Sequence, residues 1–224
     1  MARVDVRGVI VPNDYKEWYD YWGEDATCPR DIAEAVANLP AGEDLDVYIN
    51  SPGGEIASGS EIYSILRQCD RVKIHITGQA HSAASIIAMS GWSEMSPTAL
   101  MMVHCVSTWG GGNHNDFEHT AEVLRTADEA LCTAYTSKSG MAKEEALEMM
   151  NHETWMTAEK AKEKGLIDAV MFDEQDAYPM AAASGIFRLP TKEQLEMVHK
   201  EKNKNNNAME LAKIQLGLIN LTRR

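Results

Sequence analysis

Three short apolar-rich runs constrain this chain more than any other feature: the near-continuous Leu45–Asn50 (LDVYIN) and Ala99–His104 (ALMMVH), and the alternating Val72–Thr77 (VKIHIT). Strands that alternate apolar and polar residues bury one face, whereas near-continuous runs imply a sheet covered on both faces. Between the runs the apolar residues fall at helical spacing. Ile32, Ala33, Val36 and Leu39 share one face after Pro29, and Ile62, Ile65, Leu66 and Cys69 share another within a helix predicted from about 57 to 68. Gly78–Gly91 (GQAHSAASIIAMSG) then runs into a second buried helix. Residues 3–11 predict an opening strand, 116–138 a long amphipathic helix with Phe117, Val123, Leu124 and Leu131 on its stripe, and 142–150 a shorter one. TAEKAKEKG predicts a helix closed by Gly165, and LIDAVM (166–171) a last strand. Such strand–helix alternation predicts an α/β layered fold.

The 224 residues divide into an expected domain over 1–180, a polar linker over 181–207 that includes KEKNKNNN, and an amphipathic helix over 208–224. The last helix has no core of its own; it either docks on a partner or neighbouring subunit, or folds back on its own domain. From Arg188 onward eight Lys or Arg face four Glu, so the tail carries +4 and residues 1–187 carry −17. The net charge of −13 argues against nucleic acid or an anionic membrane as the main partner. Cys28, Cys69, Cys105 and Cys132 form no CxxC pair, so reduced cysteines are expected. Charges interrupt MARVDVRGVIV before a signal-peptide core can form, and no apolar run reaches the ~18 residues of a membrane span. The expectation is a cytoplasmic protein.

Ser82 follows a strand by a few residues and opens a helix, where unpaired backbone N–H groups favour developing negative charge. It is either a helix N-cap or a nucleophile with an oxyanion site beside it. Ile49–Glu55 (INSPGGE) ends a strand in Pro-Gly-Gly, a turn whose backbone can approach a ligand without a Cβ in the way. His104 ends a buried strand before a glycine run and is either a satisfied rim residue or a general base. Together these strand ends would converge on one side of an α/β sheet, where ligands tend to bind. His114, Asp116 and His119 lack the i, i+4 spacing of a metal pair; Asp116 reads as the N-cap of the long helix, and no metal is expected.

INSPGGEIASGSEIYSIL, GQAHSAASIIAMSG and MMVHCVSTWGGG, in that order and spacing, resemble the ClpP family of serine peptidases, with a match over roughly residues 5–172. The resemblance implies a spiral of ββα units shared with crotonases, with residues 116–138 as a protruding handle helix through which two homo-oligomeric rings stack. It implies Ser82 as nucleophile, His104 as general base, and the backbone N–H groups of Gly54 and Ala83 as the oxyanion hole. Gly110, Gly111 and Gly112 would belong to a strand that pairs with the substrate backbone. No cofactor is implied; the partners are protein or peptide substrates.

Two departures stand out against that pattern. The family places an aspartate where NHETWMTAEKA has Glu153, so Glu153 is expected to complete the triad, with Asn151 as the alternative. The chain also enters its first strand within about five residues, leaving little room for the axial loops that meet an unfoldase ATPase. DYKEWYDYWGEDATCPRDIAEAV and ETWMTAEKA are more similar to ClpP-like head-maturation proteases of phages and prophages, which act on scaffold and capsid proteins without a dedicated ATPase. The alternatives are an ATP-dependent Clp proteolytic subunit, a crotonase-type acyl-CoA enzyme, and a catalytically silent ring component.

Overall fold

In the computed structural model, which describes residues 2–172 together with Met197 and Lys200, the apolar runs become neighbouring parallel strands. The chain divides into two units, Met1–Asp176 and Ala177–Arg224. The linker and tail helix expected over 181–207 and 208–224 lie outside the described residues, the isolated Met197 and Lys200 apart.

The order is β1 (Ala2–Ile10), α1 (Lys16–Trp22), β2 (Ala26–Thr27), α2 (Pro29–Ala37), β3 (Leu45–Gly54), α3 (Ile56–Arg67), β4 (Val72–His81) and α4 (Ala83–Ala88). Then come β5 (Trp92–Met95), β6 (Leu100–Val103), α5 (His114–Ser139), α6 (Lys143–Asn151), β7 (Thr154–Met156), α7 (Ala158–Glu163) and β8 (Ala169–Val170). The sheet path is β2-β1-β3-β4-β5-β8, parallel throughout. This is the α/β layering that the alternation implied.

β4 is the strand that organises the site. Its first half, Lys73–Ile76, pairs with β5, whereas its last residues, Gln79–His81, pair with β6. β6 in turn pairs antiparallel with β7. The sheet therefore forks near Gly78. The ends of β4 and β6 and the start of β7 come together on a small branch.

Val47, Ile49, Ile74 and Ile76 are fully buried, as are Ile62 and Leu66 of α3, Ile87 of α4 and Cys132 of α5. Each such aliphatic side chain contributes on the order of 1.5–3 kcal/mol of burial. All six residues of α4 are buried, so its Ala and Ser residues let it lie against sheet and helices at once. The acid buried in the sheet, Asp46, is met by His75 Nε2 at 2.8 Å. α5 is long enough to span about 39 Å, yet its buried residues, Cys132, Ala134 and Tyr135, all fall near its C-terminus. Phe117 and Val123, nearer its start, are exposed.

Several boundaries differ from the sequence expectation. β3 runs on through the Pro-Gly-Gly turn to Gly54, and β4 runs past Gly78 to His81. The strand expected over 166–171 shrinks to Ala169–Val170. Asn113, not Asp116, is the N-cap of α5. Asp116 sits three residues on and accepts the Asn113 N–H at 2.8 Å, the return half of a capping box. Among the described residues no helix is long and apolar enough to cross a membrane.

Candidate active site

Ser82 stands at the N-cap position of α4 but does not cap it, because its side chain accepts no N–H from the helix. Its Oγ instead lies 2.8 Å from His104 Nε2. A capping serine turns back toward its own helix; this one faces a histidine 22 residues on. The backbone explains the direction. Ser82 adopts φ 54° and ψ −125°, a region sparsely used by non-glycine residues. Its N–H is tied to Met102 O at 2.9 Å, and its carbonyl accepts Ser85 N–H and Ser85 Oγ–H at 2.9 and 2.6 Å. Backbone bonds on both sides of the Cα thus fix where the hydroxyl points.

The carbonyl anchor reaches across to α5. Ser85 Oγ also lies 2.8 Å from the hydroxyl of Tyr135, which is buried on every side. Burial pushes that phenol well above its ordinary pKa, so it stays a neutral hydrogen-bonding group.

β3 delivers the Pro-Gly-Gly turn to the other side of Ser82. Gly53 has φ 92°, and a Cβ there would sit 2.7 Å from Ser82 Cβ and 3.0 Å from Ala83 N. Gly54 lies against β1, where a Cβ would meet Ile10 O at 2.1 Å. Gly54, Ser82, Ala83 and His104 line one cavity of about 60 Å³, floored by apolar Ile56, Ile86, Leu131 and Met150. The cavity shares Gly54, Ile56, Val106 and Ser107 with a groove of about 460 Å³ along α5. Gly110 and Gly111 line a further space of about 310 Å³ beyond Thr108. Residues 104–113, Gly112 included, carry no regular secondary structure. Gly110–Gly112 thus offer backbone to no other strand among the described residues.

The third position is reached through β7. Met102 pairs with Trp155 and Val103 with Thr154, so the next antiparallel pair would set 104 against 153. Glu153 itself turns out of the ladder with φ 46°. Its Oε1 accepts the Trp155 indole N–H at 3.2 Å. Asn151 Oδ1 accepts the Cys105 thiol at 3.2 Å. Among the described residues Ser82 is the one hydrogen-bond partner of the His104 ring.

Ser82, His104, Glu153 and the Gly53–Gly54 turn fall within 34–174, the span matched by the family model described as Clp protease. The chain belongs to the Clp protease family. Among its relatives is an "ATP-dependent Clp protease proteolytic subunit" of Bacteroides fragilis, 32% identical over 138 residues, covering 60% of this chain and 67% of that protein. Another of the same description from Porphyromonas gingivalis is 35% identical over 136 residues, covering 58% and 60%. An "ATP-dependent Clp protease proteolytic subunit 1" of Streptomyces avermitilis is 32% identical over 143 residues, covering 62% and 66%. The chain thus spans roughly two thirds or less of the length of these Clp relatives.

Two further nucleophile or base candidates lie beside the Ser–His pair. His81 precedes Ser82 but is buried, and burial lowers its pKa, keeping the ring neutral. Its ring packs edge-on against Trp155, with centroids 4.7 Å apart. Cys105 follows His104, and its thiol is pushed up to about 11 by burial and then by the nearby Asp128 carboxylate. Because the thiolate is the reactive form, Cys105 should alkylate with iodoacetamide at pH 7.5 roughly a hundred-fold more slowly than glutathione. Peptide-mapped mass spectrometry over a time course checks this. Alkylation at the glutathione rate would make Cys105 a competing nucleophile.

Proposed function

We propose that this chain is a serine endopeptidase of protein or peptide substrates. The observation that carries the reading is the 2.8 Å approach of Ser82 Oγ to His104 Nε2 beside the turn at Gly53 and Gly54. Ser82 attacks the substrate carbonyl as His104 takes its proton; the same histidine returns that proton to the leaving amine. Backbone N–H groups of Gly54 and Ala83 hold the oxyanion. Glu153 orients His104 from the far side, and the apolar cavity floor takes the side chain next to the cleaved bond. The groove lined by 106–111 receives the extended substrate backbone. Copies of the chain assemble as rings through α5, whose exposed Phe117 and Val123 suit a subunit contact.

The finer reading is an ATP-independent head-maturation protease of phage or prophage type, supported by the resemblance of the stretches 14–36 and 153–161 to such proteases. The relatives' descriptions favour a second reading, a proteolytic subunit served by an ATPase. A fluorophosphonate probe followed by intact mass tests the chemistry. One adduct on the wild-type chain and none on Ser82→Ala is expected; an adduct retained in the variant, or none on wild type, overturns the nucleophile. Strong stimulation of peptide cleavage by a Clp ATPase with ATP would decide for the second reading.

A further inference from the structure

Glu153 is one methylene longer than an aspartate and sits on an exposed turn. A carboxylate with that freedom orients an imidazole poorly unless something restricts it. The structure supplies a restraint that the proposed chemistry does not itself require. Trp155 Nε1–H donates to Glu153 Oε1 at 3.2 Å. An indole N–H is a donor only, so it competes with no donor group of the site for a proton. A carboxylate has two oxygens and room for several donors. Oε2 therefore stays open for a second donor, and the β6–β7 ladder ends at Val103 and Thr154, one residue short of 104 and of 153.

The indole is itself held. His81, 8% exposed, packs edge-on against Trp155, and its buried Nε2 has no hydrogen-bond partner among the described residues. The contact between the two rings is what His81 gives the indole from the β4 side. The residue before the nucleophile thus braces the tryptophan that holds the carboxylate.

We infer that Trp155 is a positioning residue: its indole N–H pins one oxygen of Glu153 so that the other accepts the Nδ1–H of His104. This rests on the Ser82–His104–Glu153 reading and deepens it. The chain His81–Trp155–Glu153–His104–Ser82 then closes a loop around the fork of the sheet, using side chains from β4 and the residue after it, the segment after β6, and β7 with the turn before it.

The test measures kinact and KI for a fluorophosphonate probe in Trp155→Phe, Glu153→Ala and the double variant. Phenylalanine keeps a ring against His81 and removes the N–H. Trp155→Phe should lower kinact about tenfold, leave KI within twofold, and melt within a few degrees of wild type. In the Glu153→Ala background the same change should have no further effect, because its target is gone. A role in folding alone would lower both backgrounds alike, and that additive result overturns the inference. So does an unchanged kinact in Trp155→Phe. A raised kinact would mean that the indole holds Glu153 away from His104, which also overturns it. If Glu153→Ala labels at the wild-type rate, the third-member reading fails and takes the inference with it. If Glu153→Ala is slow and Trp155→Phe is not, the Trp155 role alone fails.

Discussion

Replacing His104 by alanine is expected to slow labelling of Ser82 by a fluorophosphonate at least about 1,000-fold, with little change in melting temperature. The serine hydroxyl is a poor nucleophile at its own pKa and needs a base within hydrogen-bond reach. His104 Nε2, at 2.8 Å, is the basic group in contact with Oγ. No neighbour can take over. His81 is next in sequence, but its ring is buried against Trp155. Asn151 and Cys105 are engaged with each other. His104 is half-buried at the end of β6 and its side chain bonds to Ser82 alone among the described residues, so its loss removes little of the core. Stability and reactivity should separate cleanly. Labelling at the wild-type rate would mean that Ser82 is activated by another group, and the proposed mechanism would fall.

Gly53→Ala is expected to abolish labelling and also to lower the melting temperature by roughly 5–15 °C, corresponding to about 2–5 kcal/mol. Two penalties add. At φ 92° a side chain is disfavoured by the backbone alone. The new Cβ would then sit 2.6 Å from His81 O and 2.7 Å from Ser82 Cβ. Neither contact is the far end of a flexible side chain, so relief requires β3 to move away from the end of β4. That movement carries Ser82 off its line to His104 and parts it from Gly54. Thermal melts and probe labelling on the same preparation check both effects. A variant that melts like wild type and still labels would show that the turn at Gly53 and Gly54 is not packed against the nucleophile.

What the sequence discloses here depends on how local the cause is. LDVYIN is legible as a strand because burial on both faces writes an apolar residue at most positions, and VKIHIT because its apolar residues alternate, Val72, Ile74 and Ile76 being buried. Trp92–Met95 (WSEM) has no such signature; it is a strand because β4 and β8 pair with it. Thr154–Met156 is likewise made by its partner β6. The extension of β4 beyond Gly78 was hidden because small residues carry no period. Asn113 outranks Asp116 as cap because the helix begins before its apolar stripe does. At the site, the residue types around Ser82 and His104 were visible, whereas the geometry that turns the Ser82 hydroxyl away from its helix toward His104 was not. That geometry lies in a backbone angle at Ser82 and in a contact across 22 residues. The bond between Trp155 and Glu153 left a weaker trace, an aromatic residue two positions after an acid in a short strand.

The unusual backbone of Ser82 also bears on how this protein can evolve. A left-handed, non-glycine residue costs about 1–3 kcal/mol, which the rest of the molecule must offset. Glycine would adopt the same angles without that cost, so thermal stability and the presence of the hydroxyl pull position 82 in opposite directions. Changes that make the domain more robust elsewhere, in the apolar layers around α3 and α4, widen the margin within which the serine can be kept. Improvements in stability found at position 82 itself would be gained by giving up the hydroxyl that the proposed mechanism uses.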